Sequence, residues 1–204
     1  MGEKDSPLIL RDGLSDTHAQ IVCHAAALFC TMGYTKTNIG EIAARVGMSP
    51  GNLYRYYRNK QAIGEEVVRC YLAHAEQVMQ GAIADAEQRA EARLRAMIHA
   101  GIGSLLDALR ENQHLVELAD MICASDSGIL RAHLEWKTGT FADLLREGVA
   151  RGEWALADPA AMGETVLDAT RAFWMPMALA QLDPERVPDR VSGVLDVLVA
   201  GWRK

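Results

Sequence analysis

TNIGEIAARVGMSPGNLYRYYRNK, residues 37–60, is the stretch that decides the fold. Apolar side chains within residues 42–46 share one helix face, and Gly47 follows them. Ser49-Pro50 then begins a second helix, which carries Leu53 inward. The pattern predicts two short helices joined by a tight turn, which is the geometry of a helix-turn-helix.

Capping residues mark the start of both helices. Asn38 is placed to cap the first, with Glu41 three residues later reaching back to the Asn38 amide as in a capping box. Ser49 is placed to cap the second, with Pro50 at the first helical position, where its missing N–H costs nothing. Gly47 suits the left-handed residue that ends the first helix.

The second helix, expected over residues 50–56, carries side chains suited to base edges and phosphates. A structural helix rarely presents such a set of small, amide, phenolic and cationic groups. They are Gly51, Asn52, Tyr54, Arg55 and Tyr56, with Arg58 and Lys60 just beyond.

Together with the preceding IVCHAAALFCTMGYTKT, residues 21–37, the stretch resembles the DNA-binding domain of the TetR family of one-component bacterial transcriptional regulators. The resemblance covers roughly the first third of the chain, and the remainder agrees with the family in length and helical pattern. The shared positions are Ile21, Ala26, Phe29, Gly33, Tyr34, Thr37, Ile42, Ala43, Val46, Gly47, Ser49, Gly51, Leu53, Tyr54, Tyr57 and Lys60.

The resemblance implies a homodimeric regulator that inserts one helix per subunit into the major groove of double-stranded DNA. We expect a repressor that a small-molecule effector releases, and activation in place of repression is the alternative. Two such helices would read half-sites of a palindromic operator about 34–36 Å apart. Many relatives carry a basic residue where Pro50 stands, so the operator sequence does not follow. The predicted DNA-binding residues are Lys36, Thr37, Ser49, Pro50, Gly51, Asn52, Tyr54, Arg55, Tyr56 and Lys60.

Specific roles are expected for several of these residues. Gly51 would allow close backbone approach, and Asn52 and Arg55 would contact bases or backbone. Phosphate contacts are expected for Tyr54, Tyr56, Lys60 and Thr37. Replacing Lys60 by alanine should therefore weaken binding on every sequence and reduce the salt slope by about one unit.

The charges of the 204-residue chain are divided unevenly. The net charge is −6, yet residues 18–60 hold five basic residues and one acidic residue, whereas residues 61–204 hold 14 basic and 22 acidic residues. The N-terminal part is therefore the end expected to face phosphate.

Other features point away from membranes, metals and catalysis. No apolar run approaches the length of a membrane span, and the N-terminus lacks the order of a signal peptide, so we expect a cytoplasmic protein. The four cysteines are expected to be buried apolar residues, with a redox role for one of them as the alternative. Cys70 and His74 would share a helix face but lack a third ligand. We expect no metal, no cofactor and no enzyme, because no nucleophile–base pair or phosphate loop is present.

Helical periodicity runs through the whole chain, and no stretch alternates long enough for a strand, so the fold class is all-α. We predict a flexible arm over residues 1–14, a three-helix DNA-binding domain over 15–60, and a helical effector-binding and dimerisation domain over 61–204. The predicted helices cover about 16–32, 60–81, 94–109, 115–122, 126–151, 159–181 with a kink at Pro176, and 188–202.

In the family the last two long helices pair with their two-fold mates, which predicts a homodimer here. Small residues on these helices would permit close approach between subunits. The alternative is that they pack only within their own subunit. The small residues are Ala169, Ala172, Gly193 and Ala200.

Relatives usually hold the effector inside the larger domain, where aromatic and methionine side chains make adaptable walls. Arg171 and His133 could face such a cavity, where a buried cation would need a partner such as a ligand carboxylate, and a surface salt bridge is the alternative. The effector class stays open, and a helical small-molecule binding module without sequence-specific DNA binding is the alternative function. The predicted pocket residues are Met97, Gly101, Met121, Trp136, Phe173, Trp174 and Met177.

Overall fold

The computed structural model describes residues 15–112, 114–125 and 127–202. Within these ranges the chain forms helices and no strand, which confirms the all-α class. The predicted arm over residues 1–14 lies outside the described residues. The helices are α1 Asp16–Met32, α2 Ile39–Val46, α3 Pro50–Leu53, α4 Lys60–Ala82, α5 Ala90–Glu111, α6 Leu115–Ala124, α7 Ile129–Ala150, α8 Pro159–Trp174, α9 Pro176–Leu179 and α10 Val187–Ala200.

Contacts divide the chain into two compact units. The first unit takes the chain up to His74 together with Leu109–Leu130, and the second takes Ala75–Ala108 and the residues from Arg131 onward. The boundaries therefore fall inside α4, α5 and α7. The functional division at residues 60 and 61 remains a prediction.

The first helix of the first unit has the predicted bounds. The Ser15 side chain accepts a hydrogen bond from the His18 backbone N–H, which satisfies one free donor at the start of α1. At its end, the Gly33 N–H donates to the Phe29 carbonyl, and Gly33 has a φ of 89°. Local capping chemistry thus determines both ends of α1.

The core of the first unit includes α6. Leu118 of α6 is buried in the same apolar cluster as Phe29 of α1, Ile42 of α2 and Leu53 of α3. The sequence had indicated α6 as a helix but had assigned it to the effector-binding part. Burial of Leu118 is what makes α6 part of the same packed unit as the helix-turn-helix.

A buried aromatic pair and an arginine–glutamate ion pair connect different segments of the second unit. The rings of Trp154 and Trp202 meet edge to face with centroids 5.4 Å apart. The Arg93 guanidinium reaches both oxygens of Glu147, at 2.6 and 2.7 Å. A backbone hydrogen bond also joins the segment after α7 to the segment after α10, because the Ala155 N–H donates to the Trp202 carbonyl.

Several predicted helices differ from the structure, and the one predicted from about residue 94 begins earlier, at Ala90. The single kinked helix over residues 159–181 is wrong: α8 ends at Trp174, Met175 is extended with φ −98° and ψ 115°, and α9 begins at Pro176. A residue before proline avoids helical angles, so the helix is interrupted instead of bent. The helix predicted from about residue 126 begins later, at Ile129.

Candidate functional site

The turn between α2 and α3 has the predicted capping chemistry. The Asn38 side chain accepts from the Glu41 N–H at 3.0 Å, and the Asn38 N–H donates to the Glu41 carboxylate at 2.8 Å. Gly47 has a φ of 76°, and its N–H returns to the α2 carbonyls. The capping box and the left-handed stop are therefore confirmed.

The helix predicted over residues 50–56 is shorter in the structure. Ser49 caps it by accepting from the Asn52 N–H at 3.2 Å, and Pro50 opens it, but the helix ends at Leu53. A hydrogen-bonded turn follows, in which the Tyr56 and Tyr57 N–H groups both donate to the Leu53 carbonyl. The chain keeps a compact path past Leu53 without a further regular helical turn.

The predicted DNA-binding residues fall into three groups by burial. Asn52, Tyr56 and Lys60 are half-buried, and Thr37 is buried. Tyr54 is exposed over 52% of its surface. The exposed group comprises Lys36, Ser49, Pro50, Gly51, Tyr54 and Arg55.

Buried anchors hold the exposed group in place. Leu53 of α3 is fully buried, as are Ile42 and Ala43 of α2. These contacts fix the rotation of α3 about its axis, so that Gly51 and Arg55 face solvent.

Lys60 and Thr37 are engaged with the backbone of the same unit. The Lys60 ammonium donates to the carbonyls of Tyr34, Thr35 and Thr37 at 2.8, 3.3 and 2.9 Å, and burial lowers the pKa of Lys60. The buried Thr37 hydroxyl donates to the Gly33 carbonyl at 2.8 Å. Phosphate contacts by these two residues remain predictions, and each would compete with an existing intramolecular hydrogen bond.

Exposed cations flank α2 and α3. Arg45 on α2 and Arg58 beyond α3 are exposed like Lys36 and Arg55. The one acidic residue between residues 18 and 60, Glu41, is held in the capping box. Neither arginine is among the predicted DNA-binding residues, although the sequence places Arg58 just beyond the second helix and the charge count includes both. The exposed surface of this segment is therefore strongly positive.

The predicted pocket residues are not all brought together. Met121 lies in the first unit, where its methyl group would meet a Cβ placed on Gly64 at 2.7 Å. Met177 is 51% exposed. In the second unit, a Cβ on Gly101 would lie 2.8 Å from both the Met79 sulfur and the Trp174 ring. Gly101 and Trp174 are thus neighbours. Met121 and Met177 do not join them, because Met121 packs in the first unit and Met177 is exposed.

Three of the predicted pocket residues, Met97, Trp136 and Trp174, lie in the second unit. Met97 is fully buried, and Trp136 stacks on His133 with centroids 6.0 Å apart. The indole N–H of Trp174 donates to the buried Thr170 hydroxyl at 2.9 Å.

Sequence reasoning missed Lys137, which is buried in this region. Its ammonium lies 3.8 Å from the centroid of the Trp174 ring. Burial lowers the pKa of Lys137 to about 7, while the field of Glu76 raises it. A lysine four positions after His133 on a helix is the signal that could have found it.

His133 is buried as expected, but Arg171 is not. His133 Nδ1 lies 2.7 Å from a carboxylate oxygen of Glu76, and burial lowers the pKa of His133 to about 3. Of the two alternatives for Arg171, the structure has the surface salt bridge, because its guanidinium is exposed and pairs with Asp168 one helical turn away. An i, i+3 ion pair on the surface needs no cavity.

A shallow groove of about 470 Å³ lies between α8 and α10, the two helices predicted to form a dimer interface. Val197 stands at its edge with 76% of its surface exposed. Phe173 contributes to this groove, and the Arg190 guanidinium lies over its ring. The groove is lined by Ala169, Phe173, Arg190, Gly193, Val194, Val197 and Leu198.

The cysteines differ from the expectation of general burial. Cys70 is buried, Cys23 and Cys30 are half-buried, and Cys123 is exposed. Among residues 15–112, 114–125 and 127–202, no group of three or more histidine, cysteine or acidic side chains could hold a metal ion. In the same ranges no helix is long and apolar enough to cross a membrane.

Family models match both parts of the chain. The model described as bacterial regulatory proteins, tetR family, matches residues 21–67, and the model described as tetracyclin repressor-like, C-terminal domain, matches residues 90–195. The chain belongs to the TetR family. The family is one of transcriptional regulators with an N-terminal helix-turn-helix, so the resemblance of residues 21–60 is confirmed.

Solved structures share the fold of this TetR-family protein. A TetR/AcrR-family regulator from Thermobifida fusca is 24% identical, with a TM-score of 0.70 over 93% of this chain and 100% of that one. SmeT from Stenotrophomonas maltophilia, the repressor of the multidrug efflux pump SmeDEF, is 20% identical, with a TM-score of 0.67 over 93% of each chain. The fatty acid degradation regulator FadR from Bacillus halodurans is 17% identical, with a TM-score of 0.64 over 92% and 97%. None of the curated protein sequences matches this chain.

Proposed function

We propose that this TetR-family protein is a homodimeric repressor that binds a palindromic operator in the cytoplasm and leaves it when a small-molecule effector binds the second unit. The observation that carries the proposal is the exposed, positively charged surface of α3 and its turn, held by the buried Leu53. SmeT, which shares the fold, is a repressor, and we assign the same sign of regulation here.

The exposed residues of α3 and its turn would make the DNA contacts. Gly51 allows the backbone to approach the DNA, and Arg55 and Asn52 are placed for base edges or the sugar–phosphate backbone. Tyr54 and Lys36 are exposed and suit phosphate contacts. A helix of one turn presents few base-reading side chains, so the turn after Leu53 must contribute to recognition.

The groove between α8 and α10 supports the dimer. Its exposed Val197 and its small residues Ala169 and Gly193 form an apolar face that a second copy would cover. Two-fold pairing places the same face of each subunit against its mate, which suits a palindromic site.

Recovery and sequencing of genomic DNA fragments bound by the purified protein at near-physiological salt tests the proposal. We expect enrichment of one palindromic site, and loss of that enrichment in Arg55→Ala. Arg146→Ala, an exposed arginine on α7, serves as the matched control and should retain the site.

A different result would favour another function. Fragments retained only at low salt and without a common sequence would contradict the repressor proposal. The second unit would then be studied as a helical small-molecule binding module. Enrichment of a single site by a protein that raises transcription from it would instead reverse the assigned sign of regulation.

A further inference from the structure

Lys137 is a buried cation for which the second unit supplies no counter-ion contact. Only 3% of its surface is exposed, and its ammonium lies over the Trp174 ring. In the part of the chain that the structure describes, the ammonium has no hydrogen-bond acceptor and no carboxylate within ion-pair distance. Burying an ammonium in this way is costly, because its three N–H donors lose most of their water and gain one ring face.

The nearest acidic group is engaged elsewhere. A carboxylate oxygen of Glu76 of α4 lies 2.7 Å from His133 Nδ1, within hydrogen-bond distance. The ring of Trp136 stacks on His133. Burial and the charge of Lys137 hold the pKa of His133 near 3, so the imidazole is neutral at physiological pH. The negative charge of Glu76 therefore favours the charged form of Lys137, although the two side chains form no direct hydrogen bond.

The groups identified near Lys137 and Trp174 are mostly apolar and aromatic, apart from the Glu76–His133 pair and the Thr170 hydroxyl. Trp174 contacts the ammonium, and its ring and the Met79 side chain both lie next to Gly101 of α5. Methionine side chains rearrange at low cost, and aromatic rings bind flat apolar groups well. A ligand with an apolar or aromatic body and one negative charge would complement both features.

We propose that the effector is a small monocarboxylate whose carboxylate pairs with the Lys137 ammonium and whose apolar body packs against Trp174, Met79 and Trp136. This inference rests on the proposed function and gives its effector a chemical class. The Lys137 ammonium would pair with one carboxylate, and the nearby Glu76 charge disfavours a ligand that carries a second negative charge. A phosphate dianion would need further donors, such as an arginine fork, and Arg171 is paired with Asp168 at the surface.

Binding of matched acid and amide probes tests the proposal. The probes are benzoate, phenylacetate and octanoate, each compared with its neutral amide at millimolar concentration. Intrinsic tryptophan fluorescence reports the surroundings of Trp136 and Trp174, and calorimetry gives the affinity. We expect at least one acid to bind about 10- to 100-fold more tightly than its amide, the range of a charge-assisted hydrogen bond.

Lys137→Met removes the charge and keeps an unbranched apolar side chain of similar length. We expect it to fold, as checked by circular dichroism, and to bind the acid no better than the amide. Arg146→Met is the matched control, because Arg146 is an exposed cation on the same helix, and it should retain the preference for the acid. Lys137→Arg, which keeps the charge, should retain part of that preference.

Two results would overturn the inference. One is that no acid binds the wild-type protein more tightly than its amide, and the other is that Lys137→Met keeps the acid preference. Both are measured without DNA, so they are independent of the operator experiment. Acid binding through Lys137 in a protein that recovers no specific DNA would uphold the site and contradict the repressor, whereas specific DNA binding without acid preference would do the reverse.

Discussion

The Lys60 ammonium lies 2.8 Å from the Tyr34 carbonyl oxygen and 4.5 Å from the centroid of the Tyr34 ring. The same ammonium reaches the carbonyls of Thr35 and Thr37. Lys60, the first residue of α4, thus connects this helix by hydrogen bonds to the loop between α1 and α2. Lys60 stabilises the unit that carries α3, whatever contact it makes with DNA.

Replacing Lys60 by methionine should lower the free energy of unfolding of the first unit by about 1–3 kcal/mol, because three charge-assisted hydrogen bonds are lost. Urea denaturation followed by circular dichroism measures the change. Lys36→Met is the control: Lys36 is exposed, so its loss should change stability by less than about 0.5 kcal/mol but reduce the salt slope of DNA binding by about one unit. Unchanged stability of Lys60→Met with a reduced slope would support the phosphate role predicted from the sequence instead.

Glu117 of α6 should contribute pH-dependent stability to the first unit. Its carboxylate accepts from the Thr35 N–H at 3.3 Å, and this hydrogen bond is the main cause that lowers the pKa of Glu117. A lowered carboxyl pKa stabilises the folded state above the ordinary value of 4.5, and this contribution is lost as the pH falls through the folded-state pKa. Because the Glu117 side chain is 40% exposed, we expect no more than about 1 kcal/mol.

Hydrogen exchange measures the Glu117 contact directly. Glu117→Gln should speed exchange of the Thr35 amide at neutral pH and reduce the loss of stability on acidification. Asp120→Asn, an exposed change on the same helix, should leave the Thr35 amide unaffected. Equal exchange rates in wild type and Glu117→Gln would contradict the role of this hydrogen bond.

Two glycines of α7 should respond oppositely to alanine. A Cβ on Gly148 would overlap the Trp154 ring, which is buried and packed edge to face on Trp202, so Gly148→Ala should destabilise by about 1–3 kcal/mol. Gly139 has open space where a Cβ would stand, so Gly139→Ala should stabilise by about 0.5–1 kcal/mol through better helix propensity. Thermal unfolding of both variants checks the pair, and the same sign of change in both would contradict it.

The burial of Lys137 should make stability rise with pH above neutrality. The pKa of Lys137 is about 7 in the folded protein and ordinarily 10.5, so between these values the unfolded chain holds a proton that the folded chain lacks. The penalty for burial is therefore complete below pH 7 and disappears as the pH approaches 10.5. Glu76 and His133 are the titratable groups identified next to it, and neither supplies a direct partner.

Lys137→Met should be more stable than wild type by about 1–3 kcal/mol at pH 7, because a buried charge is replaced by an apolar side chain. The gain should shrink as the pH is raised from 7 to 9. Urea denaturation of both proteins at each pH gives the difference, in which the titration of other groups cancels. A variant that is less stable than wild type at every pH would show that Lys137 has a stabilising partner.

The sequence by itself determined the helices and most of their ends. The capping groups of α2 and α3 bond to backbone atoms only a few residues away, so they can be deduced from the adjacent residues in the sequence. They are Asn38, Glu41, Gly47 and Ser49. The interruption at Met175 also has a local cause, because Met175 precedes Pro176. The sequence pattern predicts a bend at this position, whereas the structure has a break between two helices.

Only the tertiary structure decided which side chains are available. Whether Lys60 is exposed depends on carbonyls more than twenty positions earlier, and whether Lys137 is buried depends on Trp174 from another helix. The placement of α6 with the helix-turn-helix likewise rests on Leu118 joining a core formed by distant residues. Periodicity indicates that a helix has an apolar face, but the partner of that face and the resulting burial of each charge are set by packing between segments far apart in the chain.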